Sequence, residues 1–319
     1  MGPKRPLQGA AKRSHEQKKA RLANGPILAE MEKIQRRAGQ GLATIQQARE
    51  KLQEYEPASD QDKTRMILEE LLAALPSNGQ QNLVQDICGK SSDELVELAA
   101  EVVTFLFTKH MLSGGRTPTP SPSPSISYEG QARTGNGQET LKQRCLRRDS
   151  NRCIISGYYD ASQFKTLAEN EQTGIKTGWT KCAHIIPYFS APALTHHNAQ
   201  ASPRTWAYLY RYFPSVHEVI DAMTPGSINI PENAMTLLAA LHEEFGSFHF
   251  GLIPTAQERQ YEIQTFRDMS DWAKLALPKD YKVVFGTETD CDLPSPKLLA
   301  IHLAICKVLN ATGLAQEID

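Results

Sequence analysis

The 319-residue chain lacks the signatures of several specialised protein classes. No uninterrupted apolar run exceeds five residues, and the stretch Val102 to Phe107 is broken by Thr104, against the roughly 20 residues a spanning helix needs. No apolar segment follows the charged N-terminus, so neither a membrane protein nor a secreted one is expected. The six cysteines, Cys88, Cys145, Cys153, Cys182, Cys291 and Cys306, include no CxxC pair. That excludes a standard zinc knuckle and a disulfide-stapled mini-protein, and it favours reduced thiols in a nuclear or cytosolic chain. GxGxxG, GxxxxGK[ST], HExxH and GxSxG are all absent, so neither a nucleotide-phosphate cradle nor a serine-hydrolase elbow is indicated. Net charge is scarce as well: 35 Lys and Arg oppose 36 Asp and Glu, leaving −1.

That near-zero total averages unlike segments. Residues 1–24 hold seven basic residues against Glu16 alone, or +6. Residues 25–137 hold 11 basic and 15 acidic residues, or −4, and residues 138–319 hold 17 and 20, or −3. The basic tail, residues 1–26, is poor in large apolar residues and broken by Pro3, Pro6 and Pro26. It is expected to be disordered and to act as a nuclear-import signal or a nucleic-acid arm. Residues 27–112 carry helical stripes. These are Ile27, Met31 and Ile34; Met66, Ile67, Leu71, Leu72 and Leu75, ended by Pro76 and a turn at Ser77-Asn78-Gly79; and Leu95, Leu98, Val102, Phe105 and Leu106 behind a cap at Ser91 or Ser92. They predict three or four short helices forming a small bundle or docking on a protein partner, with His110 at a helix end. Residues 113–137, rich in Pro, Ser and Gly, read as a linker.

Residues 138–319 alternate helical and strand-like stretches, which predicts an α+β domain. Leu141–Arg148 and Pro296–Leu309 read as helices. So do Trp206–Tyr212 and Val216–Met223, split by Pro214. Arg152–Ser156, Ala183–Pro187, Phe248–Ile253, Tyr261–Phe266 and Lys282–Phe285 read as strands. Asn233–Gly246 is expected to pass from turn into helix, so that His242 projects from the helix's first turns.

One trio in this domain suits phosphodiester cleavage: His184 at a strand end, Asn233 in Ile-Pro-Glu-Asn, and His242. A neutral imidazole takes a proton from water near pH 7. A second imidazole holds a divalent metal, whose charge steadies the reacting phosphate. An Asn amide bridges two loops and fixes the base. Arg147, Arg148 and Arg152 lie nearby in sequence and are candidate phosphate contacts. Cys153 and Cys182 read as small packing residues, His196-His197 and His249 as surface positions, and His302 as a packing or surface residue.

Four segments carry a family resemblance: Arg147-Arg-Asp-Ser-Asn-Arg-Cys-Ile-Ile-Ser-Gly157, Cys182-Ala-His-Ile-Ile-Pro187, Ile228-Asn-Ile-Pro-Glu-Asn-Ala-Met-Thr-Leu237 and Leu241-His-Glu-Glu-Phe-Gly246. In this order they resemble the HNH endonuclease domains found in many fungal proteins. The final stretch from Pro294 to His302 is similar to the helix that often follows them. The resemblance spans about residues 138–319 and implies a ββα-metal core. It also implies His184 as general base, Asn233 as the central Asn, His242 as a metal ligand, and hydrolysis of DNA with Mg²⁺, or Mn²⁺ or Zn²⁺ in its place. Ala183 and Gly246 stand where many members carry additional ligands. Glu243, Glu244, Asp160 and the substrate phosphate itself are the candidates to supply a further ligand, and the sequence does not choose among them. These two positions, and the acidic balance of the domain, support a rival expectation: a catalytically weakened binding or regulatory protein that works through its helical N-terminal region.

Overall fold

A computed structural model describes residues 25–36, 43–107, 140–186, 203–221 and 227–316. Residues 1–24 of the basic tail, the linker, His110 and His196-His197 lie outside the described residues. Five helices open the described chain: α1 (25–36), α2 (Ile45–Glu54), α3 (Thr64–Ala74), α4 (Ser77–Cys88) and α5 (Ser92–Leu106). The caps explain their starts. Thr44 and Gln47 form a reciprocal box at the start of α2, and at the start of α5 the Glu94 carboxylate accepts from the Ser91 N–H and hydroxyl. The turn expected at Ser77-Asn78-Gly79 is instead the first turn of α4, entered from Pro76. Polar residues fit there because a first turn needs no apolar face, and Leu83, Val84 and Ile87 supply that face further on.

The remaining chain contributes α6 (Leu141–Arg148), β1 (Tyr159–Asp160), α7 (Ala161–Phe164), β2 (Thr177–Gly178), β3 (Thr180–His184), α8 (Pro203–Tyr212), β4 (Ala234–Leu238), α9 (Ala239–Gly246), β5 (Phe250–Pro254), β6 (Gln260–Thr265), α10 (Asp271–Lys274), β7 (Lys282–Val284) and α11 (Pro296–Thr312). Among the described residues the strands form three small sheets: a parallel pair β1–β2, an antiparallel pair β3–β4, and an antiparallel meander β5–β6–β7. The expected strand at Arg152–Ser156 is a tight turn, with only a single bridge from Arg152 to Tyr159. Ser150, Asn151 and Gly157 all take positive φ there, so the chain reverses instead of extending.

The helices at 25–107 pack on their own chain. One contiguous apolar cluster runs from Ile27 to Leu314, with α11 lying against α3 and β5, and α8 against α4 and α5. Gly79 lets α4 approach α8 closely, since a Cβ there would sit 1.8 Å from the Tyr212 carbonyl oxygen. Beside it the buried Asp86 carboxylate accepts from Arg211 Nε and Nη2, both at 2.7 Å, and from the Tyr212 hydroxyl at 2.8 Å. No helix among the described residues is long and apolar enough to cross a membrane.

Candidate functional site

The site is assembled on β3, β4 and α9. The two strands pair antiparallel, with His184 opposite Ala234, and α9 follows β4 directly. The interval between Asn233 and His242, expected to begin as turn, is therefore mostly strand. Ala234 to Leu237 are buried on both faces, so the segment carries no alternating pattern.

Asn233 is fully buried in the short turn before β4. Its Oδ1 accepts from the Ile186 N–H at 2.8 Å, while Nδ2 donates to the carbonyls of Ile186 and Ile228, both at 3.0 Å. The amide thus ties the segment leaving β3 to the loop entering β4. His184 ends β3 half-buried, with Nε2 2.9 Å from Asn229 Oδ1. Nε2 is the donor in that contact, which leaves the lone pair of the neutral ring on Nδ1. Burial lowers its pKa below the usual 6.5, partly offset by the Asn229 contact, so His184 is neutral at pH 7. Asn229 was missed by sequence reasoning. Its signal was the alternation Ile228-Asn229-Ile230, which turns the polar residue away from the apolar pair.

His242 is 2 % exposed on α9, and its Nδ1 has no hydrogen-bond partner among the described residues. Burial lowers its pKa to about 4, helped by the positive charge of Lys181, and His184 is near enough to add to the shift. The fold therefore brings His184 and His242 within electrostatic reach of each other. Glu243 Oε1 lies 3.7 Å from His242 Nδ1 and 2.5 Å from Lys181 Nζ. The other two acidic candidates are engaged elsewhere. Glu244 binds Ser270 and His249. Asp160 caps α7 through Ser162 and Gln163 and accepts from Thr180. Burial pushes the Asp160 carboxyl up, but these hydrogen bonds outweigh it and hold the group below its ordinary range.

The three arginines separate. Arg147 is half-exposed and 3.9 Å from Asp290. Arg152 donates to the Gly157 carbonyl at 3.0 Å and lies over the Tyr159 ring. Arg148 is fully buried, which corrects the expectation of a phosphate contact. Its guanidinium forks onto Asp149, at 2.7 and 3.0 Å, and donates to the carbonyls of Pro231, Ala234 and Asp292. Asp149 in turn accepts from the Thr236 N–H at 3.0 Å. This pair grips both sides of Asn233, and helical spacing explains why: Arg147 and Arg148 lie about 100° apart on α6, so one faces out and the other in.

Elsewhere, His302 is buried between the Phe245 and Phe248 rings, and His249 pairs with Glu244 at 2.7 Å instead of facing solvent. No cysteine forms a disulfide; Cys153 is buried and Cys182 half-buried. No group of three or more His, Cys, Asp or Glu residues poised for a metal exists among the described residues. The orphaned, buried Nδ1 of His242 beside a carboxylate is nonetheless a donor set that suits a divalent cation completed by water and phosphate oxygens.

Residues 153–253 match the HNH endonuclease family. The matched stretch contains β3, β4, α9 and all of His184, Asn233 and His242. It covers about a third of the chain. Searches of curated proteins and of solved structures returned no match.

Proposed function

We propose that the protein is a metal-dependent HNH endonuclease that hydrolyses phosphodiester bonds in DNA, and that β3, β4 and α9 form its ββα-metal core. The observation that carries this reading is the placement of a neutral His184 at the end of β3 and an orphaned His242 nitrogen on α9, the helix that follows β4, inside the family match. In it, His184 Nδ1 takes the proton of the attacking water, while Asn229 Oδ1 holds the Nε2 proton and steadies the ring once it becomes positive. Asn233 keeps the base in place by locking the segment that follows it. His242 holds a divalent ion, Mg²⁺ with Mn²⁺ or Zn²⁺ as substitutes, which supplies positive charge to the reacting phosphate. Arg147 and Arg152 remain as phosphate contacts, and the +6 tail supplies nuclear import or a tether to DNA.

The small donor set favours a second reading, a binding or regulatory protein with weakened cleavage. Plasmid nicking by the full chain with Mg²⁺ or Mn²⁺ separates the two. Nicking that disappears in His184→Ala supports the nuclease, and its absence in the wild type with either ion refutes it.

A further inference from the structure

Building on that reading of the metal site, we propose that Glu243 is its second protein ligand, sharing the ion with His242 Nδ1, and that Lys181 holds the carboxylate in reserve until an ion arrives. Three acidic residues compete for the role, and their placement decides among them. Asp160 spends both oxygens, Oδ1 on the start of α7 and Oδ2 on Thr180. Glu244 spends both on Ser270 and His249. Glu243 Oε1, held by Lys181, is a carboxylate oxygen that lies beside the His242 nitrogen left unpartnered among the described residues.

The distances suit a shared ion. A separation of 3.7 Å is too long for a hydrogen bond. Two coordination bonds of about 2.1 Å each span up to ~4.2 Å, so one cation can touch both atoms. A buried ring nitrogen without a partner carries a desolvation cost that a cation would relieve. Lys181 explains how the site stays stable without the ion. It lies on β3, three residues before His184, and its ammonium sits 2.5 Å from Glu243 Oε1, the oxygen nearest His242. Both side chains of this ion pair are partly exposed, at 37 % and 50 %. The pair is therefore weak enough for a dication to displace the ammonium into water.

The test is Mn²⁺ titration of the full chain, followed by the EPR signal of free Mn²⁺, with plasmid nicking measured in parallel. Glu243→Gln, at a half-exposed position, keeps the fold and is expected to weaken Mn²⁺ binding at least about tenfold. Lys181→Met is expected to tighten it about two- to five-fold. Unchanged affinity in Glu243→Gln, with binding lost in a folded His242→Gln, overturns the ligand assignment and leaves the nuclease reading intact. Weaker binding in Lys181→Met overturns the reserve role, and no Mn²⁺ binding by the wild type overturns the whole proposal. Mn²⁺ binding that depends on Glu243 in a chain that nicks no plasmid supports the site and refutes the nuclease.

Discussion

Replacing Asn233 tests the central device of the site, because its side chain combines one acceptor and two donors in a space closed to water. Asn233→Ala strands the Ile186 N–H and the carbonyls of Ile186 and Ile228. Each buried group left without a partner costs about 1–3 kcal/mol, and partial relaxation brings the total to about 3–5 kcal/mol. That is a large share of the 5–15 kcal/mol typical of a domain, and it corresponds to a fall in Tm on the order of 10 °C. Asn233→Asp is the sharper probe, since it has the same shape. Oδ1 still accepts from Ile186, but the second oxygen now faces two carbonyl oxygens at the 3.0 Å where Nδ2 stood. Repulsion and burial raise the folded pKa of the new carboxyl above its unfolded value near 4. Its neutral form keeps one donor, so the folded state binds the proton more tightly than the unfolded one. The variant's stability deficit must therefore be smallest below pH 4 and grow as pH rises through the folded pKa. Urea midpoints of wild type and variant at pH 4, 6 and 8 measure this. A deficit that is constant or shrinks with rising pH would refute the hydrogen-bond assignment and, with it, the bridging role of the amide.

The other predictions concern the groups around this amide. Arg148→Met leaves the Asp149 carboxylate buried without its partner and three carbonyls unfilled; a loss of about 3–5 kcal/mol is expected in chemical denaturation. Arg148→Lys should recover little of it, because an ammonium cannot reproduce the fork. Burial holds the pKa of His242 at about 4 and that of His302 at about 3, so the unfolded chain takes up protons first as pH falls. Stability is then complete above about pH 6.5 and declines toward pH 4, by about 3 kcal/mol from His242 alone. A urea midpoint that does not move between pH 7 and 4.5 would contradict this. Asn229→Asp places a carboxylate against His184 Nε2 and should shift the acid limb of the nicking profile upward by about one pH unit; an unshifted limb would remove Asn229 from the site.

The sequence carried the helices where burial is one-sided. Leu141–Arg148 matches its expected bounds, and the stripe Leu95, Leu98, Val102 and Leu106 is the buried face of α5. It did not carry β4, whose Ala-Met-Thr-Leu-Leu is buried from both sides and so lacks a period of two. Nor did it show that the N-terminal helices belong to the same core as the rest. The stripes predicted burial, but a stripe does not say whether its cover comes from another protein or, as found, from α8 and α11 of the same chain.

The candidate site shows the same division at the level of single residues. His184, Asn233 and His242 were legible as candidates because the proposed proton transfer and metal binding demand particular side chains, and few residue types supply them. Arg148 was misread because its partners are the carbonyls of Pro231, Ala234 and Asp292, more than 80 residues away along the chain. Every residue has a carbonyl, so nothing in the composition of those segments marks them as arginine acceptors. Two adjacent arginines at a helix end look alike on the page, yet one turn of 100° sends Arg147 toward solvent and Arg148 into the core. The same ambiguity surrounded Glu243 and Glu244, which α9 turns to opposite duties, one toward His242 and one toward His249. Chemistry that needs a rare side chain leaves a mark in sequence. Support built from backbone groups, however tightly it fixes that chemistry, leaves almost none.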